Sequence, residues 1–185
     1  IKIIKSLKFN KNKDFIIIPE IFAHFAEELE LKKKRIKYAI FVQGSFHMGS
    51  SENFNKIKFS YENANLIIST SSYSLDFIKG LFPKCKKNIL KINLSVNTTL
   101  NNNLKKNYIT CMPRKLPSHF FLLQFYLQNK IPKNWKIDII DNVSKKELLN
   151  KLKRSKIFLS FSHFEGLGLP PLEAALTGNK VIGYI

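Results

Sequence analysis

Short runs of hydrophobic residues recur along the chain, and most are separated by segments with helical spacing. The runs cover 15–18, 38–42, 66–69, 89–94, 108–112, 135–140, 157–161 and 181–185. Continuous apolar runs are typical of strands that are buried on both faces of a parallel sheet. Helical spacing lies between them, at 21–34, 73–82, 118–128 and 143–154. Strands that alternate with helices predict βαβ units and an α/β fold.

A polar stretch interrupts this alternation near the middle of the chain. Residues 98–107 include three consecutive asparagines and have no hydrophobic period, which is typical of a linker. The predicted organisation is therefore one Rossmann-like domain over 1–97 and a second over 108–185. Each domain is expected to be a parallel sheet flanked by helices. Both are expected to be incomplete, because the chain starts without Met and stops inside an apolar run.

The segment after the run at 157–161 carries the clearest chemical signal. From Ser162 to Ala175 it is SHFEGLGLPPLEAA, with a proline pair opening a helix that is predicted to end at Gly178. Unpaired N–H groups at a helix start attract anions, and glycine lets the backbone approach a ligand closely. The carboxylates of Glu165 and Glu173 suit hydroxyl groups instead. The segment predicts a site for a ligand that has both phosphate and hydroxyl groups.

This segment resembles the E-x7-E signature of family 4-like retaining glycosyltransferases with the GT-B fold. The resemblance implies two Rossmann-like lobes, a nucleotide-sugar donor and sugar transfer with retention of configuration. It implies that Glu173 binds the ribose hydroxyls of the donor. It implies that Glu165 is the catalytic residue and contacts the donor sugar and diphosphate together with Gly166, Leu167 and Gly168.

A basic pair, Arg114 and Lys115, follows the strand predicted at 108–112. Ligands of open α/β sheets bind at the carboxyl ends of the strands, and the resembling family places basic residues against the donor diphosphate. The pair is therefore expected to bind the donor. The sequence has no Asp-x-Asp motif. Cations and a helix N-terminus can stabilise a leaving diphosphate, so neither a metal nor a cofactor is expected.

Four further residues are weaker candidates for the substrate cleft. Gln43 and His47 follow the strand predicted at 38–42, and His163 precedes the signature. Glu20, after Pro19, is a candidate for the acceptor side. A lone histidine in a loop is more often structural than functional, so these residues carry less weight.

The net charge of +18 comes from 28 Lys and only three Arg against 13 acidic residues. Arginine is preferred for bidentate recognition of phosphates and bases, so this balance argues against nucleic acid as a partner. A basic surface suits peripheral contact with anionic lipid. Two cysteines without metal-ligand spacing indicate free buried thiols in a reducing compartment. The expected location is the cytoplasm, at the inner face of the membrane.

The resemblance implies a glycosyltransferase that acts on an unknown glycan or lipid acceptor, and bacterial surface glycan synthesis is its expected setting. Two alternatives stay open at this point. One is a non-catalytic basic module that binds polyanions or a membrane surface, and the other is a different GT-B enzyme such as a sugar-nucleotide epimerase. A chain that lacks parts of both lobes is expected to be inactive alone.

Overall fold

The computed structural model describes residues 8–45, 48, 53–85, 88–96, 104–162 and 168–184. The chain forms two compact units, Ile1–Leu94 and Ser95–Ile185. Each unit contains a four-stranded parallel sheet with helices in the connections, which confirms the predicted α/β class. Most of the predicted linker at 98–107 lies outside the described residues, and Lys106 and Asn107 already belong to a strand.

The first unit has the strand order β1-β2-β3-β4, and all neighbouring strands are parallel. Its strands are β1 (Phe15–Pro19), β2 (Lys37–Val42), β3 (Leu66–Ser69) and β4 (Ile89–Lys91), as the apolar runs predict. Its helices are α1 (Phe25–Glu28), α2 (Phe54–Asn63) and α3 (Ser72–Leu81). The side chains of Ile40, Val42 and Ile67 are fully buried, so the middle strands form the centre of the core.

The continuous helix predicted over 21–34 is wrong. The chain instead forms a 3-10 turn at Glu20–Phe22 and the single-turn helix α1. The helical region ends at Glu30, whose φ is 54°, and the Leu31 N–H donates to the Ala26 carbonyl at 3.1 Å. A left-handed residue followed by this hydrogen bond is a Schellman-type helix end. The reversal brings Leu31 into the core, where it is fully buried.

Helix α2 has no counterpart among the sequence predictions. Its buried side chains are Ile57, Ser60 and Tyr61, at the spacing of one helix face. The Tyr61 ring stacks on Phe82 with 4.8 Å between the ring centroids. One of the three buried positions is a serine and the exposed positions are mostly Lys and Asn, so the hydrophobic period is weak.

The second unit has the strand order β6-β5-β7-β8, again all parallel. Its strands are β5 (Lys106–Met112), β6 (Lys136–Ile139), β7 (Ser155–Ser160) and β8 (Lys180–Gly183). Its helices are α4 (Pro117–Leu127), α5 (Lys145–Arg154) and α6 (Leu169–Leu176). Ser144 caps α5 through a hydrogen bond from the Glu147 N–H at 3.2 Å. Helix α6 ends at Leu176, and Gly178, which the sequence predicts as its end, follows two residues later with φ of 82°.

Two polar contacts tie helices of the second unit to the rest of that unit. Asp138 on β6 accepts hydrogen bonds from Lys151 and Arg154 on α5, each at 2.6 Å. Burial alone would raise the pKa of Asp138, but these two cations outweigh it and lower the pKa below its usual value. Lys105 donates to the carbonyls of Leu152 and Thr177, at the ends of α5 and α6. The Leu152 carbonyl also accepts a hydrogen bond from Asn179 Nδ2 at 2.8 Å, so Lys105 and Asn179 both bind the end of α5.

Candidate functional site

The second sheet has a topological switch point beside β5. This strand pairs with β6 on one side and with β7 on the other. Loops that follow two strands at such a point run in different directions and leave a crevice, where ligands of open α/β sheets bind. A cavity of about 50 Å³ lies at this point, and its walls include Met112, Ser160 and Ser162. Topology and cavity therefore indicate the same candidate site.

The basic pair lies on one wall of this cavity. Strand β5 ends in a 3-10 turn, Pro113–Lys115, that the hydrogen bond from the Leu116 N–H to the Pro113 carbonyl closes at 2.9 Å. Arg114 and Lys115 are both exposed on the turn and line the cavity. The structure places them at the carboxyl end of a strand, where the sequence predicts them. Their contact with a donor diphosphate stays a prediction.

The start of helix α6 forms another wall. Gly168 precedes the helix with φ of 67°, a left-handed conformation that favours glycine, and Pro170 and Pro171 line the cavity. Prolines have no N–H, and the Leu172 N–H already donates to the Gly168 carbonyl at 3.2 Å. The helix therefore offers fewer backbone donors than its position suggests. An anion in this cavity would depend mainly on the side chains of Arg114 and Lys115.

Glu173 does not line the cavity, although it belongs to the same helix. It is only 6% exposed, and its Oε1 accepts a hydrogen bond from Nζ of Lys145, the first residue of α5. The Lys145 side chain is 61% exposed, so the carboxylate forms the inner member of the pair and the ammonium the outer one. Lys145 is not among the residues that the sequence predicts for this site. One feature of the sequence could have indicated it: Lys145 follows β6, and β6 is the neighbour of β5 in the sheet. Residues after these two strands lie at the same carboxyl edge.

Several predicted site residues lie outside the residues that the structure describes. They are His47, His163, Glu165, Gly166 and Leu167. Their proposed contacts stay predictions. No group of three or more His, Cys, Asp or Glu side chains that could hold a metal occurs within the described ranges. Metal-independent chemistry also stays a prediction, because Glu165 and His163 are outside those ranges.

The first unit has a buried carboxylate at the corresponding sheet edge. Glu20, after β1, is 6% exposed and accepts a hydrogen bond from the Gly44 N–H at 3.0 Å. Its Oε2 has no hydrogen-bond partner among the described residues. Gln43, next to Gly44, is exposed at the end of β2. Glu20 therefore stabilises the loop that carries Gln43, and the roles predicted for Gln43 and Glu20 are not tested by this geometry.

Comparisons with solved structures identify the fold. No model of a known protein family matches the sequence, and no curated protein matches it. A structure of a single-residue mutant of Staphylococcus aureus TarM in complex with fondaparinux, alpha-GlcNAc-glycerol and UDP has a TM-score of 0.67 at 15% identity. That match covers 97% of this chain and 43% of TarM. The fold is that of GT-B enzymes.

Two further structures agree with this assignment. Apo OtsA has a TM-score of 0.58 at 11% identity, over 98% of this chain and 59% of OtsA. A UDP-forming alpha,alpha-trehalose-phosphate synthase from Burkholderia xenovorans has a TM-score of 0.58 at 9% identity, over 98% of this chain and 60% of that chain. The present chain thus spans less than two thirds of the length of each of these proteins. At such identities the likeness shows the fold alone.

Proposed function

We propose that the protein is a glycosyltransferase that moves a sugar from a nucleotide-sugar donor to a glycan or lipid acceptor. The observation that carries the proposal is a basic cavity at the topological switch point of a GT-B-like second unit. UDP occurs in the TarM complex, and the Burkholderia enzyme is described as UDP-forming. We therefore propose a nucleoside diphosphate as the ligand, with its phosphates beside Arg114 and Lys115 at the cavity and its nucleoside outside it.

Transfer breaks the bond between the anomeric carbon of the sugar and the terminal phosphate oxygen, and the electron pair stays on the phosphate. The acceptor hydroxyl oxygen forms the new bond to that carbon, and its proton passes to an oxygen of the leaving diphosphate. Arg114 and Lys115, beside the cavity, would stabilise the charge that develops on the leaving diphosphate. Glu165 and the backbone of 166–168 would hold the sugar. In this proposal the two cations perform the electrostatic role, and no metal is required.

Glu173 would accept hydrogen bonds from the ribose hydroxyls, because a carboxylate is an acceptor-only group with several lone pairs. Lys145 already donates to its Oε1 and would hold the carboxylate in position. The second oxygen then remains for the ligand. Lys145 is thus a positioning residue for Glu173 in this proposal.

A calorimetric titration with UDP, GDP and ADP tests the donor site. We expect saturable binding of one nucleotide, and Glu173→Gln should weaken it about tenfold or more, since a hydrogen bond to a charged group contributes about 1.5–3 kcal/mol. Glu147→Gln is the matched control, because Glu147 is an exposed glutamate on α5 and should leave affinity unchanged. If a folded sample binds none of the three nucleotides, or if both variants bind alike, the assignment of this site is wrong.

Retention and the biological setting need separate tests. Proton NMR of the new glycosidic linkage should show the same anomeric configuration as the donor, and the inverted configuration would contradict retention. Bacterial surface glycan synthesis is the proposed setting, since the TarM and trehalose-phosphate synthase structures come from bacteria. Deleting the gene should then change the surface glycans of the source organism, and an unchanged glycan profile would contradict the proposal.

A further inference from the structure

Helix α4 presents an apolar face that the second unit does not cover. None of its eleven residues carries Asp, Glu, Lys or Arg, yet Phe120 is its only buried side chain. Phe121, Leu122, Phe125 and Tyr126 are between 62% and 76% exposed. These four positions are related by steps of one, three, four and five residues, so they share one side of the helix. An apolar surface of this kind normally marks an interaction site.

The uncovered face continues into a cavity of about 630 Å³. The turn after α4 and the start of β6 supply the remaining walls, which include Ile131, Lys133, Trp135 and Ile137. No Asp or Glu lines this cavity among the described residues. No helix in the part of the chain that the structure describes is long and apolar enough to span a bilayer.

Two lysines lie beside aromatic rings of this face and its cavity. Lys130 Nζ lies 3.3 Å from the centroid of the Tyr126 ring, and Lys156 Nζ lies 5.8 Å from that of Trp135. Across residues 95–185 the sequence has 14 basic and five acidic side chains. Aromatic side chains beside lysines match the two layers of an anionic membrane surface, because the rings enter the acyl boundary while the cations stay at the head groups.

We propose that the α4 face, defined as Phe121, Leu122, Phe125, Tyr126 and the cavity beside them, docks on an anionic phospholipid bilayer. A second copy of the chain fits less well, since a symmetric interface would bring the same lysines of both copies together. A nucleic acid would pair with the lysines but leave Leu122 and Ile131 without an apolar partner. The proposal is independent of the glycosyltransferase assignment, because lipid docking requires no nucleotide.

The single tryptophan of the chain, Trp135, reports directly on this docking. The protein is mixed with vesicles of equal parts phosphatidylglycerol and phosphatidylcholine, and with vesicles of phosphatidylcholine alone. We expect co-sedimentation and a blue shift of the Trp135 fluorescence with the anionic vesicles only. Phosphatidylcholine brominated in its acyl chains, used in the anionic mixture, should quench that fluorescence. Absence of binding to the anionic vesicles overturns the proposal.

Paired variants separate this face from general charge attraction. Phe121→Ser/Phe125→Ser should weaken vesicle binding about tenfold or more, because it removes the inserted apolar area. Phe15→Ser/Leu104→Ser removes two other exposed apolar side chains and should change little. Circular dichroism checks that every variant is folded. Equal binding by both double variants overturns the proposal.

A second pair tests the lysines and the competing occupant. Lys130→Gln/Lys133→Gln should weaken binding about tenfold, at roughly one factor of three to five per lysine near an anionic surface. Lys33→Gln/Lys84→Gln lowers the net charge equally in the first unit and should have a smaller effect. Light scattering after size exclusion gives the oligomeric state. A dimer that Phe121→Ser/Phe125→Ser dissociates, without vesicle binding, assigns the face to a second copy and overturns the proposal.

Discussion

Removal of Lys145 tests whether the buried carboxylate of Glu173 depends on this cation. In Lys145→Met the aliphatic length is kept and the ammonium is lost, so Glu173 remains at 6% exposure without its hydrogen-bond donor. Lys146→Met is the matched control, because Lys146 is the next residue of α5 and is exposed. We expect the Lys145 variant to be clearly less stable than the Lys146 variant.

The size of the effect follows from the exposure of the two partners. Exposed ion pairs contribute about 0–1 kcal/mol, whereas removal of one partner of a fully buried pair costs about 3–5 kcal/mol. Here the Glu173 side chain is 8% exposed and that of Lys145 is 61% exposed. The pair lies between the two limits, and solvent reaches the ammonium. We therefore expect a loss of about 1–2 kcal/mol in the free energy of unfolding.

Urea unfolding followed by Trp135 fluorescence measures this loss in the second unit, where the only tryptophan lies. The midpoint should fall by about 0.5–1 M. Adding Glu173→Gln to Lys145→Met should recover much of the stability, because a neutral amide costs less to bury than an unpaired carboxylate. The reasoning is refuted if Lys145→Met unfolds at the same urea concentration as Lys146→Met.

Three further predictions concern stability and reactivity. The pKa of Asp138 is lowered in the folded state, so its contribution to the free energy of unfolding is present above about pH 4 and is lost as pH falls through the folded pKa. Asp138→Asn should therefore reduce the fall in stability at acidic pH. Urea midpoints at a series of pH values measure this change. Burial is the main cause that raises the pKa of Cys85 to about 11 and that of Cys111 to about 12. Both thiols should therefore resist a disulfide reagent at pH 8 until urea is added, and rapid labelling of the native protein would contradict this. Gly178→Ala should lower the free energy of unfolding by about 1 kcal/mol, because φ is 82°, and no steric clash should add to this, because the new Cβ meets nothing closer than 3.6 Å. Gly80→Ala, in open space within α3, should instead raise the urea midpoint, because alanine favours a helix more than glycine does.

Most of the strands were predictable because their signal is local. Each buried parallel strand is a continuous apolar run, and every predicted run has a strand in the structure. The two helical discrepancies have different causes. At Glu30 a residue other than glycine adopts the left-handed conformation, and no sequence rule marks this position as a helix end. In α2 the buried face includes Ser60, so its hydrophobic period is too weak to predict a helix.

The candidate site was predictable only in part, because its pieces come from different loops. The sequence predicts Arg114 and Lys115 because they closely follow an apolar run, and Glu173 because it belongs to a recognisable segment. Lys145 was missed since it pairs with a residue 28 positions away, through packing that one helix alone does not show. The start of α6 has fewer backbone donors because the helix begins at Leu169, so that both prolines lie in its first turn. The exact first residue of a helix is not evident from the sequence.

The central claim is that the cavity beside β5 binds a diphosphate, and one comparison tests it most directly. Once a nucleoside diphosphate is found to bind, its affinity is measured beside that of the matching nucleoside, for the wild type and for Arg114→Gln/Lys115→Gln. The account predicts that the wild type binds the diphosphate at least tenfold more tightly than the nucleoside, since charge-assisted hydrogen bonds contribute about 1.5–3 kcal/mol each. It also predicts that the double variant loses most of this preference. A preference that the variant retains in full would contradict the account.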